Sequence, residues 1–227
     1  MIPLTRMRLT GYLRTGRVLP PALGVLLFLF LFHGGGKSEA DKAYAVAALL
    51  LFPLLAWQTR MILDGEPDVQ RRLAILAVGS ARREQIAGLL ASAIAGVAAI
   101  AVSMVLPWLM GAVKAEDTPL ARQLAIGVWA HLLALIGALA LGALASRAIT
   151  QTTGKGVAVL AVGGVLAIVL GLPETPLAWL VPPISPIAKA VGRQTLTSWT
   201  ALVYTGQTLV WTAVALGGYA RLRRSRA

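Results

Sequence analysis

Long apolar runs without a single Asp, Glu, Lys or Arg are the feature that most restricts the fold of this chain. A helix that crosses the hydrocarbon core of a bilayer needs about 20 mostly apolar residues and satisfies its own backbone polar groups. Such runs predict six spans, at 18–33, 43–59, 86–113, 123–146, 156–172 and 199–220. The predicted fold class is an all-α polytopic membrane protein with six transmembrane helices, forming a single domain over residues 1–227.

The composition supports a membrane protein and argues against a soluble domain or a nucleic-acid-binding protein. Hydrophobic residues make up 57% of the chain and charged residues 13%, a balance far from that of a soluble domain. The net charge of +12 does not indicate a nucleic-acid partner, because the basic residues punctuate apolar segments instead of forming a basic face. The chain has no cysteine and only two distant histidines, so we predict no metal site.

Orientation follows from the basic residues between the spans. One set of connections carries 15 of them: Arg6, Arg8, Arg14, Arg17, Arg60, Arg71, Arg72, Arg82, Arg83, Arg147, Lys155, Arg221, Arg223, Arg224 and Arg226. The other set carries six: Lys37, Lys42, Lys114, Arg122, Lys189 and Arg193. The positive-inside rule therefore predicts that both termini face the cytoplasm. The abundance of alanine, glycine and arginine is typical of a bacterium, so we expect the bacterial cytoplasmic membrane.

The amino-terminal segment 1–17 predicts an interfacial helix on the inner leaflet. One helical face gathers mostly apolar residues, while Arg6, Arg14 and Arg17 lie elsewhere. That face contains Ile2, Thr5, Leu9, Tyr12, Leu13 and Gly16. A plain arginine-rich topology anchor is an equal alternative. The segment also resembles a secretory signal peptide, but residues 33–39 lack a clear small-x-small cleavage site, which favours a retained first span.

The predicted spans contain no Asp, Glu, Lys or Arg, which disfavours a transporter with its own proton or ion coupling. No nucleophile, base and metal constellation is present either, so we do not expect the chain to be an enzyme by itself. The Gly-Lys pair at 154–155 lacks the other residues of a phosphate loop. Neutral polar candidates for a substrate path are Ser103, His131 and Gln207. His131 is more typical of an interhelical hydrogen-bond partner or pore-lining group than of a proton relay.

Small residues recur every fourth position in the fourth span, at Ala134, Ala138, Gly142 and Ser146. Such a stripe lets helices approach closely. Ordinary packing within the bundle is favoured over a subunit interface.

The loop 61–85, between the second and third spans, predicts a short amphipathic helix. Pro67 suits a helix start, and Val69, Leu73 and Leu76 follow at i, i+4 and i+7, opposite Arg71 and Arg72. Residues 79–80, Gly-Ser, then break the helix before the third span. Such a helix could lie on anionic lipid or sit in a groove of a cytoplasmic partner, and periodicity alone does not choose between the two.

This layout resembles a type-2 ABC transporter permease, the membrane subunit of ATP-binding cassette exporters. That family has six spans, an amino-terminal interfacial helix and a coupling helix between spans two and three. The matching residues are Glu66, Leu73, Leu76, Val78-Gly-Ser-Ala-Arg-Arg-Glu84 and Gly88-Leu-Leu90. The chain departs from the family pattern in Gly79-Ser80, in the missing lysine near Gly88 and in the missing Gly-Thr-Leu-Glu after the acidic residue.

The resemblance implies a membrane-embedded dimer with a second permease, identical or not, and a separate ABC ATPase subunit that binds ATP and Mg²⁺. It implies no cofactor in this chain. The residues it assigns to docking on the ATPase are Val69, Arg71, Arg72, Leu73 and Leu76, with Arg82 and Arg83 as supporting charge. Their implied role is to transmit the movement of the ATPase to the spans.

The resemblance also implies that the proline-rich segment 173–195 forms a short re-entrant element on the outer side, where an ordinary ordered loop is the alternative. For the whole chain, the main alternative is a membrane regulatory, immunity or scaffold protein that transports nothing. An ion-coupled carrier is a weaker alternative, because the predicted spans have no buried charge.

Overall fold

A computed structural model describes residues 1–114, 119–171 and 177–225. Its helices are α1 (Ile2–Arg14), α2 (Leu19–His33), α3 (Ala40–Leu63), α4 (Asp68–Val78), α5 (Ala81–Leu109), α6 (Leu120–Leu144), α7 (Arg147–Thr150), α8 (Thr153–Val169), α9 (Ile184–Gly192) and α10 (Ser198–Ser225), with a 3₁₀ turn at Ala178–Leu180. Two short strands, β1 (Ser38–Glu39) and β2 (Val113–Lys114), pair in parallel. The predicted all-α class is confirmed, and a helix occupies each of the six predicted span positions.

Length and hydropathy qualify three segments as membrane spans: Ala40–Leu63, Ala81–Leu109 and Leu120–Thr150. Helices α1 and α2 count as a fourth only when taken together, and they are bent by 71°. Helix α8 is apolar but has 17 residues, and the threonines and Gln207 of α10 reduce its hydropathy. Three to four spans are therefore supported within the described ranges, and six are not confirmed.

Helices α3 and α6 form the centre of the bundle. Leu51 and Leu55 of α3 are buried in one core cluster with Ala134 and Ala138 of α6. Gly142 brings the two backbones close, because a Cβ there would lie 2.5 Å from the carbonyl oxygen of Ala56. The small-residue stripe of the fourth span thus packs inside the chain, as the sequence favoured.

The two ends of α3 lie in different surroundings. At its amino-terminal end, Ser38 pairs with Val113 and Glu39 pairs with Lys114 in the small parallel sheet. At its other end, α3 stops at Leu63, and Asp64 follows in a cluster of arginines. Since α3 runs through the centre of the bundle, these two ends define the sheet end and the arginine end of the molecule.

The proline-rich segment folds onto the bundle where it is described. Residues 172–176 lie outside the described residues, and the rest of 173–195 contains the 3₁₀ turn and α9. Ile184, Ile187 and Val191 of α9 are buried. Gln207 Nε2 of α10 donates to the carbonyls of Ala178 and Val181, at 3.0 and 2.9 Å. The segment is therefore ordered against the helices, and its re-entry into a membrane stays a prediction.

Candidate functional site

Helix α4 is the short helix that the loop pattern predicts. It starts after Pro67 and ends at Gly79, whose φ of +71° is the left-handed conformation that glycine adopts without strain. Val69, Leu73 and Leu76 are 70%, 60% and 78% exposed. The amphipathic helix is confirmed, and its predicted apolar face points away from the bundle.

The opposite side of α4 holds the helix in place. Ala74 is buried in one cluster with Leu4 of α1 and Ala87 of α5, and Val78 packs against that cluster. The burial of these small apolar surfaces stabilises the packing of α4 against α1 and α5. Helix α4 is thus fixed through one side and leaves its larger apolar side chains uncovered.

The predicted docking arginines differ in their surroundings. Arg71 is half-buried, whereas Arg72, Arg82 and Arg83 are exposed. The guanidinium of Arg83 donates to the carbonyl of Val78, with Nη1 and O 3.4 Å apart. Arg72 therefore lies on the exposed part of α4. Arg82 and Arg83 lie in the first turn of α5, shortly after α4 ends.

Next to α4 lies a buried ionic network centred on Glu84. Glu84 lies in the first turn of α5 and is only 1% exposed. Glu84 Oε1 accepts from Arg8 Nη2 of α1, and Glu84 Oε2 accepts from Arg223 Nη2 of α10 at 2.5 Å. Arg223 Nη1 also donates to the hydroxyl of Tyr219, 2.6 Å away. One carboxylate therefore joins α1, α5 and α10.

Glu66 extends this network to the start of α4. Arg8 Nε and Nη2 donate to the two carboxylate oxygens of Glu66, at 3.0 and 2.8 Å. Two parallel hydrogen bonds of this kind fix the relative orientation of the two groups. Since Glu66 and Glu84 flank α4 in sequence and both bind Arg8, the two ends of the α4 segment are anchored to one side chain.

Arg8 stays charged in this buried position. Burial by itself lowers the pKa of Arg8, but the hydrogen bond to Glu66 and the charge of Glu84 raise it more, and the pKa lies above its ordinary value. The guanidinium also donates to the Glu84 carbonyl at 3.1 Å. Four charges of balanced sign, on Arg8, Arg223, Glu66 and Glu84, therefore neutralise one another inside the protein.

Three further arginines meet at Asp64, just after α3. The Asp64 carbonyl accepts from Arg17 and from Arg147, both at 3.1 Å. Its carboxylate accepts from the Arg147 backbone amide at 2.8 Å and lies 3.4 Å from Arg60 Nε. Burial raises the pKa of Asp64, although Arg147 and Arg60 oppose the rise. The arginines that the sequence assigned to one side of the membrane thus converge at one end of the bundle.

The residues predicted to line a substrate path lie apart from this site. Ser103 and His131 are fully buried, and Ser103 Oγ lies 2.9 Å from His131 Nε2 across α5 and α6. His131 Nδ1 lies 2.8 Å from the carbonyl of Gly127. Because a carbonyl only accepts, Nδ1 carries the proton, and Nε2 accepts from Ser103. His131 is an interhelical hydrogen-bond partner, and a role of Ser103, His131 or Gln207 in a substrate path stays a prediction.

The sequence did not reveal the ionic network as a site. Arg8 and Arg223 counted only as orientation signals, and Glu66 and Glu84 only as family landmarks. The small number of acidic residues was a signal that could have revealed it, because the chain has nine acidic residues against 21 basic ones. A carboxylate that opens a 29-residue apolar helix needs a cation to offset its loss of water.

The fold and this site define a broad class: an all-α protein with several helices apolar and long enough for a membrane, and a buried ionic cluster at one end. The chain matches no protein-family model, no curated protein and no solved structure. Similarity therefore does not identify its family, and any function rests on the residues themselves.

Proposed function

We propose that this chain is the membrane permease subunit of an ATP-driven exporter of the ATP-binding cassette class, with both termini in the cytoplasm. Helix α4 is its docking element for a separate ATPase subunit. The observation that carries the proposal is the uncovered face of α4 with Val69, Leu73 and Leu76 exposed. An apolar face of this kind fits a hydrophobic groove of a partner protein.

The surroundings of that face favour a protein partner of defined chemistry. Leu73 also lines an open groove of about 1170 Å³, together with Ile2, Pro3 and Met7 of α1. The exposed Arg72, Arg82 and Arg83 add positive charge nearby. The partner groove would need an apolar floor and acidic residues around it, which is a surface that an ATPase subunit can supply.

The ionic network supports a role in transmitting movement. A force on α4 acts on Glu66 and on the start of α5 at Glu84, because these residues flank the helix. Both carboxylates bind Arg8, and Glu84 also binds Arg223. Displacement of α4 would therefore move α1, α5 and α10 together, as an exporter without its own energy source requires.

Site-specific crosslinking tests the docking role, and the absence of cysteine in the chain makes single-cysteine variants clean probes. A Leu76→Cys variant carrying a photoreactive maleimide is illuminated in native membranes, and the captured protein is identified by mass spectrometry. We expect an ABC ATPase. Leu209→Cys is the matched control, because Leu209 of α10 is also exposed and apolar but lies far from α4 in sequence, and it should capture no ATPase.

A functional measurement completes the test. The ATPase subunit captured at Leu76→Cys is reconstituted with the chain in proteoliposomes, and ATP hydrolysis is measured. Leu73→Asp with Arg72→Asp should abolish stimulation, while Leu73→Met should retain it. Unchanged stimulation in the aspartate variant, or capture at Leu76 of lipid alone, would contradict the proposal and favour a membrane regulatory or scaffold protein.

A further inference from the structure

A second cavity lies in the angle between α1 and α2. It has a volume of about 420 Å³, within the range of cavities that bind small molecules. Helices α3 and α5 close its other sides, and its lining is aliphatic apart from Tyr12 and Gln58. Ala95, Ala98 and Ala99 of α5 form a smooth wall with room for a narrow apolar chain.

Two hydrogen-bond donors in this lining have no partner within the described part of the chain. They are the hydroxyl of Tyr12 and Nε2 of Gln58, on residues that are 4% and 6% exposed. A buried donor without an acceptor is costly, so such groups in native proteins nearly always have one. A ligand in this cavity that carries acceptor oxygens would satisfy both.

The position of the donors indicates the depth of the site in a bilayer. Gln58 is five residues before the end of α3 at Leu63, which is about 8 Å along a helix. Arg60 and Asp64 mark the polar end just beyond it. Helices α3 and α5 both qualify as spans, so the donors lie near the boundary between the hydrocarbon core and the polar headgroups.

We propose that this cavity binds a diacyl glycerophospholipid of the surrounding bilayer. One acyl chain occupies the aliphatic part, and its ester carbonyl accepts hydrogen bonds from the Tyr12 hydroxyl and Gln58 Nε2. A helix of a second copy fits less well, because the backbone carbonyls of a helix are already paired within it. The proposal concerns the membrane face of the chain and does not depend on an ATPase partner.

Photolabelling tests the site in the full chain reconstituted in lipid nanodiscs. The probe is a diacyl phosphatidylglycerol with a diazirine on one acyl chain, and labelled peptides are mapped by mass spectrometry. We expect labelling concentrated in residues 9–26 and 94–102. Tyr12→Phe with Gln58→Met keeps the shape but removes both donors, and it should reduce labelling about tenfold.

Filling the cavity provides a second variant with a matched control. Ala98→Phe introduces a ring at the lining of the cavity, and Ala98 is exposed, so the fold should tolerate it while labelling is lost. Val97→Phe is the control, since Val97 is the neighbouring exposed residue of α5 outside the lining. Equal labelling of these two variants would overturn the proposal. Gel filtration and thermal unfolding establish that all variants are folded.

A comparison of lipids tests the hydrogen bonds directly. A dialkyl ether analogue with the same diazirine chain lacks the carbonyl, and it should label the cavity several-fold less than the ester lipid. Equal labelling by both lipids would show a nonspecific lipid layer and overturn the proposal. Formation of a disulfide-linked dimer by Ala98→Cys would overturn it too, because a second copy would then cover the cavity.

Discussion

Arg223 in the last helix donates a hydrogen bond to Glu84 at the start of α5, with Nη2 and Oε2 2.5 Å apart, although 139 residues separate them. The same carboxylate binds Arg8 in the first helix. Both ends of the described chain are therefore tied to one buried acid. This arrangement explains why α1 and α10 are held beside α5 at the arginine end of the bundle.

Replacing Glu84 with glutamine should destabilise the protein strongly. The change leaves the buried Arg8 and Arg223 without this anionic partner, and the loss of one member of a buried ion pair costs about 3–5 kcal/mol. Equilibrium unfolding in mixed micelles measures the free energy of unfolding. Glu39→Gln is the control, because the ion pair of Glu39 with Lys42 lies within one helical turn at the sheet end and is partly exposed. An equal loss in both variants would contradict the central role of Glu84.

Replacing Arg8 with lysine should loosen α4 while retaining the positive charge. A lysine cannot make the two parallel hydrogen bonds that Arg8 makes to Glu66. We expect faster amide hydrogen exchange in residues 66–78 and a loss of about 2 kcal/mol in stability. Arg6→Lys is the matched control, since Arg6 is exposed on the same helix. Unchanged exchange in α4 would show that Ala74 packing alone holds this helix.

Replacing Gly88 with alanine should disturb the ionic network by displacing the Arg8 side chain. A Cβ at this position would overlap Arg8 Nη1 and lie 2.8 Å from Leu63 Cδ2, so the guanidinium has to shift. We expect a destabilisation of about 1–3 kcal/mol, measured by thermal unfolding. Gly217→Ala tests the opposite case, because a Cβ there meets no atom within 4 Å among the described residues. Helix propensity should make that variant neutral or slightly more stable.

Cysteine labelling should report both termini on the cytoplasmic side. Single-cysteine variants Gly11→Cys, Lys37→Cys and Ala227→Cys are treated in intact cells with a membrane-impermeant maleimide. We expect Lys37→Cys to react from outside, and the other two to react only after the cells are opened, as the distribution of arginines predicts. Labelling of Gly11→Cys and Ala227→Cys from different sides would contradict the predicted topology.

Local patterns were sufficient to predict where most of the helices lie, but they did not predict α7 or α9. Helix α4 shows this well, since Pro67 and Gly79 bound it and the spacing of Leu73 and Leu76 sets its exposed face. The predicted amino-terminal face was only partly right. Leu4 and Arg8 point into the bundle with Thr5 and Tyr12, because α1 packs beside Ala87 and Glu84, residues that its own periodicity does not reveal.

The sequence by itself determined the helical class, the positions of the helices other than α7 and α9, and the one-sided distribution of arginines, because these depend on residue types a few positions apart. Only the tertiary structure decided which charges pair and where a cavity forms. Arg8 meets Glu84 across 76 residues, and Tyr12 shares a cavity with Gln58. Such contacts arise when separate helices pack, and the spacing of residues along one helix does not specify which other helices pack against it.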